Sequence, residues 1–150
     1  MYERILMAID GSGTSDQALD EAIRLAQFHK AKLRLLHVID TVMLDMDNGG
    51  LLTMPDLLDA WRQSGKNLLK KSQTHAEQAG ITTETALLET LGVTRVATEI
   101  VADAKNWSAD LIVLGTHGRR GFSHLLLGSV AEDAVRMATM PVLLIRENKQ

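Results

Sequence analysis

The sequence predicts an α/β fold: a single-domain, open five-stranded parallel sheet, Rossmann-like, with helices on both faces. Three observations carry this. Five short apolar runs alternate with four helix-periodic segments along the 150 residues, the pattern of βαβ units whose right-handed crossovers lay helices over parallel strands. The strongest runs, Ile5 to Ile9 and Leu111 to Leu114, are continuously apolar, as strands covered on both faces are. No internal repeat, low-complexity tract or linker divides the chain, and its length suits one domain that buries about two-thirds of its unfolded surface.

Taken in order, Ile5-Leu-Met-Ala-Ile9 reads as a buried strand that delivers the chain into Asp10-Gly-Ser-Gly-Thr-Ser15, a turn and helix cap. From Asp16 to His29, Ala18, Ala22, Leu25 and Ala26 recur at helical spacing. Lys32 to Ile39 is a second strand ending at Asp40, and the stretch that follows through Asn48-Gly-Gly50 reads as a loop. Between Pro55 and Ala79 the residues Leu57, Leu58, Trp61, Leu68, Leu69, Ser72, Ala76 and Ala79 trace one helical face, and Gly80 stands where a C-terminal cap glycine belongs. Thr82 to Leu88, enriched in β-branched residues, is a third strand; Val96, Ile100, Val101 and Ala104 mark a helix that ends before Trp107. Asp110 to Leu114 runs directly into Gly115, Ser129 to Ala138 forms the last helix, and Pro141 to Ile145 the closing strand.

Composition narrows the function classes. A net charge of -3 without a dense Lys/Arg cluster argues against nucleic acid as a partner. With no cysteine, disulfides, thiolate metal sites and cysteine nucleophiles are excluded, and a reducing compartment is expected. The opening residues carry no signal-peptide pattern and no apolar run is long enough for a bilayer, so a cytoplasmic protein without membrane contact is expected. Aromatics are only 3% of the chain, so the core must be aliphatic.

Open parallel sheets bind ligands beyond the carboxyl ends of their strands, which directs attention to the loops that begin at Asp10, Asp40 and Gly115. The third reads Gly115-Thr-His-Gly118-Arg-Arg-Gly121-Phe-Ser-His-Leu-Leu-Leu-Gly128-Ser129. Glycines there let backbone amides approach a ligand, and a helix that starts at Gly128-Ser129 offers unpaired N–H groups and its dipole to phosphate oxygens. Ser129 can add a hydroxyl donor or cap its helix, and Asp10 can serve a ligand or cap its turn. No Walker-type Gly-Lys-Ser/Thr loop occurs, and Gly11 and Gly13 lack the third glycine of a dinucleotide fingerprint. His117, with no acid partner in view, reads as a loop hydrogen-bonder ahead of a general base; Arg119 and Arg120 read as solvated, with phosphate binding as the alternative. His29, His37, His75 and His124 lack metal-ligand spacing.

The spacing of Gly115, Gly118, Gly128 and Ser129 (glycine, two residues, glycine, nine residues, glycine, serine) resembles the loop of the universal stress protein family in its ATP-binding branch. The likeness extends to Ile5-Leu-Met-Ala-Ile-Asp10-Gly-Ser, Leu36-His-Val38, Asp110-Leu-Ile-Val-Leu-Gly115-Thr-His-Gly118, Gly128-Ser-Val-Ala131 and Pro141-Val-Leu-Leu-Ile145. It implies an adenine-nucleotide alpha-hydrolase type of sheet and a stress-response protein that binds ATP, or AMP or ADP. By the same resemblance, Ala8, Ile9 and Asp10 would line the adenosine and phosphate region, and Val38 would meet the adenine through its backbone. Leu114, Gly115, His117 and Gly118 would lie near ribose and phosphates, and Gly128, Ser129 and Val130 would hold the phosphate tail, with Mg²⁺ bound through the phosphates. A homodimer through the C-terminal edge strand is also implied, and burial of such an edge is physically reasonable.

Three functions follow as expectations. The first is a regulatory module that holds nucleotide with slow or no hydrolysis, because the loops supply phosphate donors but no evident water-activating base. The second is a slow ATPase or autophosphorylating enzyme. The third is a dimeric interaction scaffold that binds no nucleotide, against which the intact glycine set stands.

Overall fold

The computed structural model describes residues 1–42, 55–117 and 127–148. Its five strands are β1 (Arg4–Ala8), β2 (Lys32–Ile39), β3 (Thr83–Glu89), β4 (Leu111–Gly115) and β5 (Val142–Ile145). Among the described residues, the helices between them with both ends defined are α1 (Gly13–His29), α2 (Pro55–Gln78), α3 (Val96–Asn106) and α4 (Ser129–Met137). All strand pairs are parallel, in the order β3-β2-β1-β4-β5, so β5 is an edge strand. The expected α/β architecture is present, with element ends displaced by at most three residues. Thr41 and Val42, read from sequence as the start of a loop, are helical, and the remainder of that stretch lies outside the described residues.

The period-two alternation of the strands sorts the core into two layers. Ile5, Met7, Leu33, Leu35, Leu111 and Val113 face α1 and α2, which contribute Ala18, Leu19, Ala22, Ile23, Ala26, Leu69 and Ala76. Leu6, Leu36, Ile112 and Leu114 face α3 and α4, which contribute Ala97, Ile100, Val101, Ala104 and Ala134. The abundance of alanine on the helix faces brings them close to the sheet, which an aliphatic core with few aromatics requires.

Local signals place the helix ends. Ser12 caps α1, its hydroxyl accepting the Ser15 amide at 3.2 Å. Gly80 follows α2 at φ +79 and donates to the Glu77 carbonyl, while Ile81 returns to Ala76, as a left-handed terminal residue should. At the amino end of the sheet, Trp107 lies beneath Arg4 and Arg34, and Arg34 grips Asp103 through two nitrogens at 2.8 and 2.9 Å. This cluster ties β1, β2 and α3 together at the end opposite the strand-end loops. Among the described residues no helix is long and apolar enough to cross a membrane.

Candidate functional site

The chain leaves β1 in one direction to build β2 and β3, and later places β4 and β5 on the other side, so the strand order reverses at β1 and β4. A crevice beyond the carboxyl ends is the geometric consequence. Backbone direction decides what enters it. In β2, Lys32 donates to Glu3 and Leu36 accepts from Ile9, whereas Leu33 donates to Thr82 and Ile39 accepts from Thr90. Even-numbered residues of β2 therefore face β1, and Val38 turns its N–H and C=O to that side, two residues past the last β1–β2 pair, Ala8↔Leu36. In β4, Ile112 donates to Pro141, and just beyond the strand Thr116 donates to Ile145, which leaves Gly115 facing β1, beyond the last β1–β4 pair, Met7↔Val113. Two backbones thus open onto the space where β1 ends.

The exit of β1 is tightly held. Ser12 donates its amide to Asp10 Oδ1 at 2.9 Å, and the Asp10 amide donates to the Ser15 hydroxyl oxygen at 3.1 Å, which ties the end of β1 to the first turn of α1. Asp10 therefore stabilises the turn with one carboxylate oxygen, the capping alternative considered from sequence. Ile9 is 4% exposed, gives its N–H to Leu36 and meets His37 Nδ1 through its carbonyl. It fixes the strand end and has no backbone group to spare. Leu114 is likewise buried, its side chain in the core under α3 and α4, and Ala8 packs against the same layer.

Beside the end of β4, Gly128 is the N-cap of α4 with φ -60 and ψ 154, and no side chain caps the helix. Ser129 is the first helical residue, so its hydroxyl is not the cap. Gly128 donates to the Thr116 carbonyl at 2.8 Å, which ties the helix start to the end of β4, while Glu132 closes the first helical turn onto Gly128. The amides of Ser129, Val130 and Ala131 precede the first intrahelical donor and face outward along the axis with the positive end of the dipole. Ser129 and Val130 are exposed. His117 bonds the Thr116 hydroxyl through Nδ1 at 2.9 Å, and its Nε2 is a buried nitrogen with no partner among the described residues. Gly118, Arg119 and Arg120 lie outside the described residues.

Gly115 has a second explanation. A Cβ at this position would stand 2.9 Å from Thr14 Cγ2 and 3.3 Å from the Thr14 backbone carbon, so glycine lets the start of α1 lie against the end of β4. Two further positions escaped sequence reasoning. His37 is buried inside β2, and Gly65 sits on the buried face of α2, where a Cβ would meet Leu87 Cδ1 at 2.7 Å and His37 Cδ2 at 3.0 Å. A glycine between Trp61 and Leu69 on an otherwise apolar helical face was the available signal, because mid-helix glycine costs about 1 kcal/mol relative to alanine and is kept where backbones approach.

The chain matches the profile of the Universal stress protein family over residues 1–146. It is 37% identical to Universal stress protein MJ0531 of Methanocaldococcus jannaschii, covering 100% of this chain and 85% of that protein. Universal stress protein YxiE of Bacillus subtilis is 32% identical, with 97% of this chain and 100% of that protein covered. The solved structure of the hypothetical protein MJ0577 superposes with a TM-score of 0.85 at 25% identity, covering 100% and 99% of the two chains. Two structures at 23% identity share the fold: a universal stress protein in complex with cAMP (TM-score 0.68, 97% of each chain) and one from Archaeoglobus fulgidus in complex with dAMP (TM-score 0.67, 96% and 98%). Motif, strand order and full-length similarity converge, and the chain belongs to the universal stress protein family.

Proposed function

We propose that this chain is a stress-response regulatory protein that binds an adenine nucleotide, ATP or its AMP or ADP forms, and hydrolyses it slowly or not at all. The observation that carries the reading is the uncapped start of α4, tied by Gly128 to the end of β4, at the carboxyl edge of the sheet where the Val38 and Gly115 backbones face the space beyond β1. Unpaired amides at a helix start suit phosphate oxygens. A backbone donor and acceptor side by side on Val38 match the ring nitrogen and amino group of adenine. Structures of the same fold in complex with cAMP and dAMP support the ligand class. Gly118 and His117 would line the ribose and phosphate side.

Mg²⁺ would arrive with the phosphates. Among the described residues no three His, Asp or Glu groups cluster to hold a metal, so the phosphate oxygens and water would supply most of its ligands. The protein would work in the cytoplasm as a homodimer paired through β5, whose Val142 and Leu144 turn their backbone groups away from β4 to the open edge.

Ser129→Pro tests the reading. Proline is accepted at the first helical position, and the extended Gly128 before it (φ -60, ψ 154) is the conformation that a residue preceding proline adopts. The variant loses one amide and one hydroxyl while keeping its helix. Wild-type protein should melt at higher temperature with millimolar ATP and Mg²⁺, and Ser129→Pro should bind about 10-fold or more weakly, the worth of one hydrogen bond to a charged group. No ATP-dependent stabilisation of the wild type would overturn the proposal.

A further inference from the structure

For Val38 to offer an amide to a base, the parallel ladder between β1 and β2 must break at the right rung. Ile9 donates to Leu36 at 2.8 Å, and the next rung of a regular ladder would run from the Val38 amide to the Ile9 carbonyl. That rung is absent: the register ends at Ala8↔Leu36. The Ile9 carbonyl instead meets His37 Nδ1 at 2.7 Å. A carbonyl only accepts, so the proton is on Nδ1 and the ring is the donor. His37 is 8% exposed, and a Cβ at Gly65 of α2 would stand 3.0 Å from its Cδ2, so glycine there leaves the ring its place.

We infer that His37 is a positioning residue for base recognition: by engaging the Ile9 carbonyl, it keeps the Val38 amide out of the sheet and available to a ring-nitrogen acceptor of the bound base. The ligand part rests on the proposed nucleotide site, whereas the ladder part does not. A purely structural histidine would stabilise the sheet but would leave the Val38 amide indifferent to its replacement.

Amide hydrogen exchange followed by NMR on the ligand-free protein tests the ladder part. In the wild type the Val38 amide should exchange at least about 10-fold faster than that of Leu36, which lies within the paired register. In His37→Leu, and in His37→Phe, which keeps a ring without the donor, Val38 should slow about 10-fold as the missing rung closes. Equal protection of Val38 and Leu36 in the wild type overturns the inference even if neither variant folds, and so does Val38 exchange unchanged in folded variants. For the ligand part, ATP is compared with its 1-deaza analogue, which lacks one ring acceptor. The wild type should prefer ATP by about 10-fold, one hydrogen bond's worth, and the His37 variants should lose that preference. Equal binding of both by the wild type overturns the role in base recognition, whereas failure of the wild type to bind either refutes the nucleotide site and leaves the exchange result to stand.

Discussion

Replacing Gly115 by alanine separates two reasons for a glycine at the mouth of the site. The added Cβ would lie 2.9 Å from Thr14 Cγ2 and 3.3 Å from the Thr14 backbone carbon. Thr14 is itself buried, so the methyl group cannot swing into solvent and the start of α1 must give way. Overpacking of this kind costs about 1–3 kcal/mol. Alanine in a strand recovers about 0.5–1 kcal/mol relative to glycine by restricting the unfolded chain. With the middle of each range, about 2 against about 0.75 kcal/mol, the net loss is about 1.2 kcal/mol without any ligand. With a urea dependence of about 2 kcal/mol per molar, the unfolding midpoint of the ligand-free protein should fall by about 0.6 M. Urea unfolding followed by circular dichroism measures it. If the ligand-free midpoint of Gly115→Ala matched or exceeded that of the wild type while ATP affinity fell, packing against Thr14 would not be the reason for the glycine, and contact with the nucleotide would be.

Arg34→Met keeps the apolar stem but leaves Asp103, whose side chain is 11% exposed, without its two-pronged partner, and should destabilise the fold by about 2 kcal/mol. The hydrogen bond to Asp103, with the neighbouring Asp103 and Glu84 charges, raises the Arg34 pKa. A raised pKa contributes stability that is complete below the unfolded value and disappears only as pH climbs through the folded one, above the ordinary guanidinium range. Urea unfolding should therefore show the same loss at pH about 6 and about 9, and a loss confined to one of these would refute the assignment. Sedimentation equilibrium should give the mass of two chains, since β5 presents an unpaired edge; a single-chain mass at all concentrations would refute pairing through that strand.

Several elements were legible because one local cause dominates each. Ile5 to Ile9 and Leu111 to Leu114 are apolar throughout, and the two runs form the central strands β1 and β4 of the sheet. Gly80, set one residue past a helical period, takes the positive φ that its position called for. Ser129 was harder. From sequence it could either donate to a ligand or cap α4, and the structure puts the cap on Gly128, because the chain is still extended there when it bonds back to Thr116. Asp10 could serve ligand or turn, and one of its oxygens holds the Ser12 amide.

His37 shows what a linear reading cannot reach. Along the sequence it is one of five histidines with no spacing to recommend it, and its partner, the Ile9 carbonyl, lies 28 residues away on another strand. Gly65 and Gly115 are alike in this respect: whether a glycine serves a turn, a ligand or a close approach depends on what stands where its Cβ would be. Hydrophobic period, caps and loop spacing are properties of neighbours in the chain, so the amino-acid order was enough for the α/β class, the strand and helix sequence and the family. Which backbone groups stay unpaired at the end of β1 depends on register and strand order, set by long-range packing, and only the tertiary structure decided it.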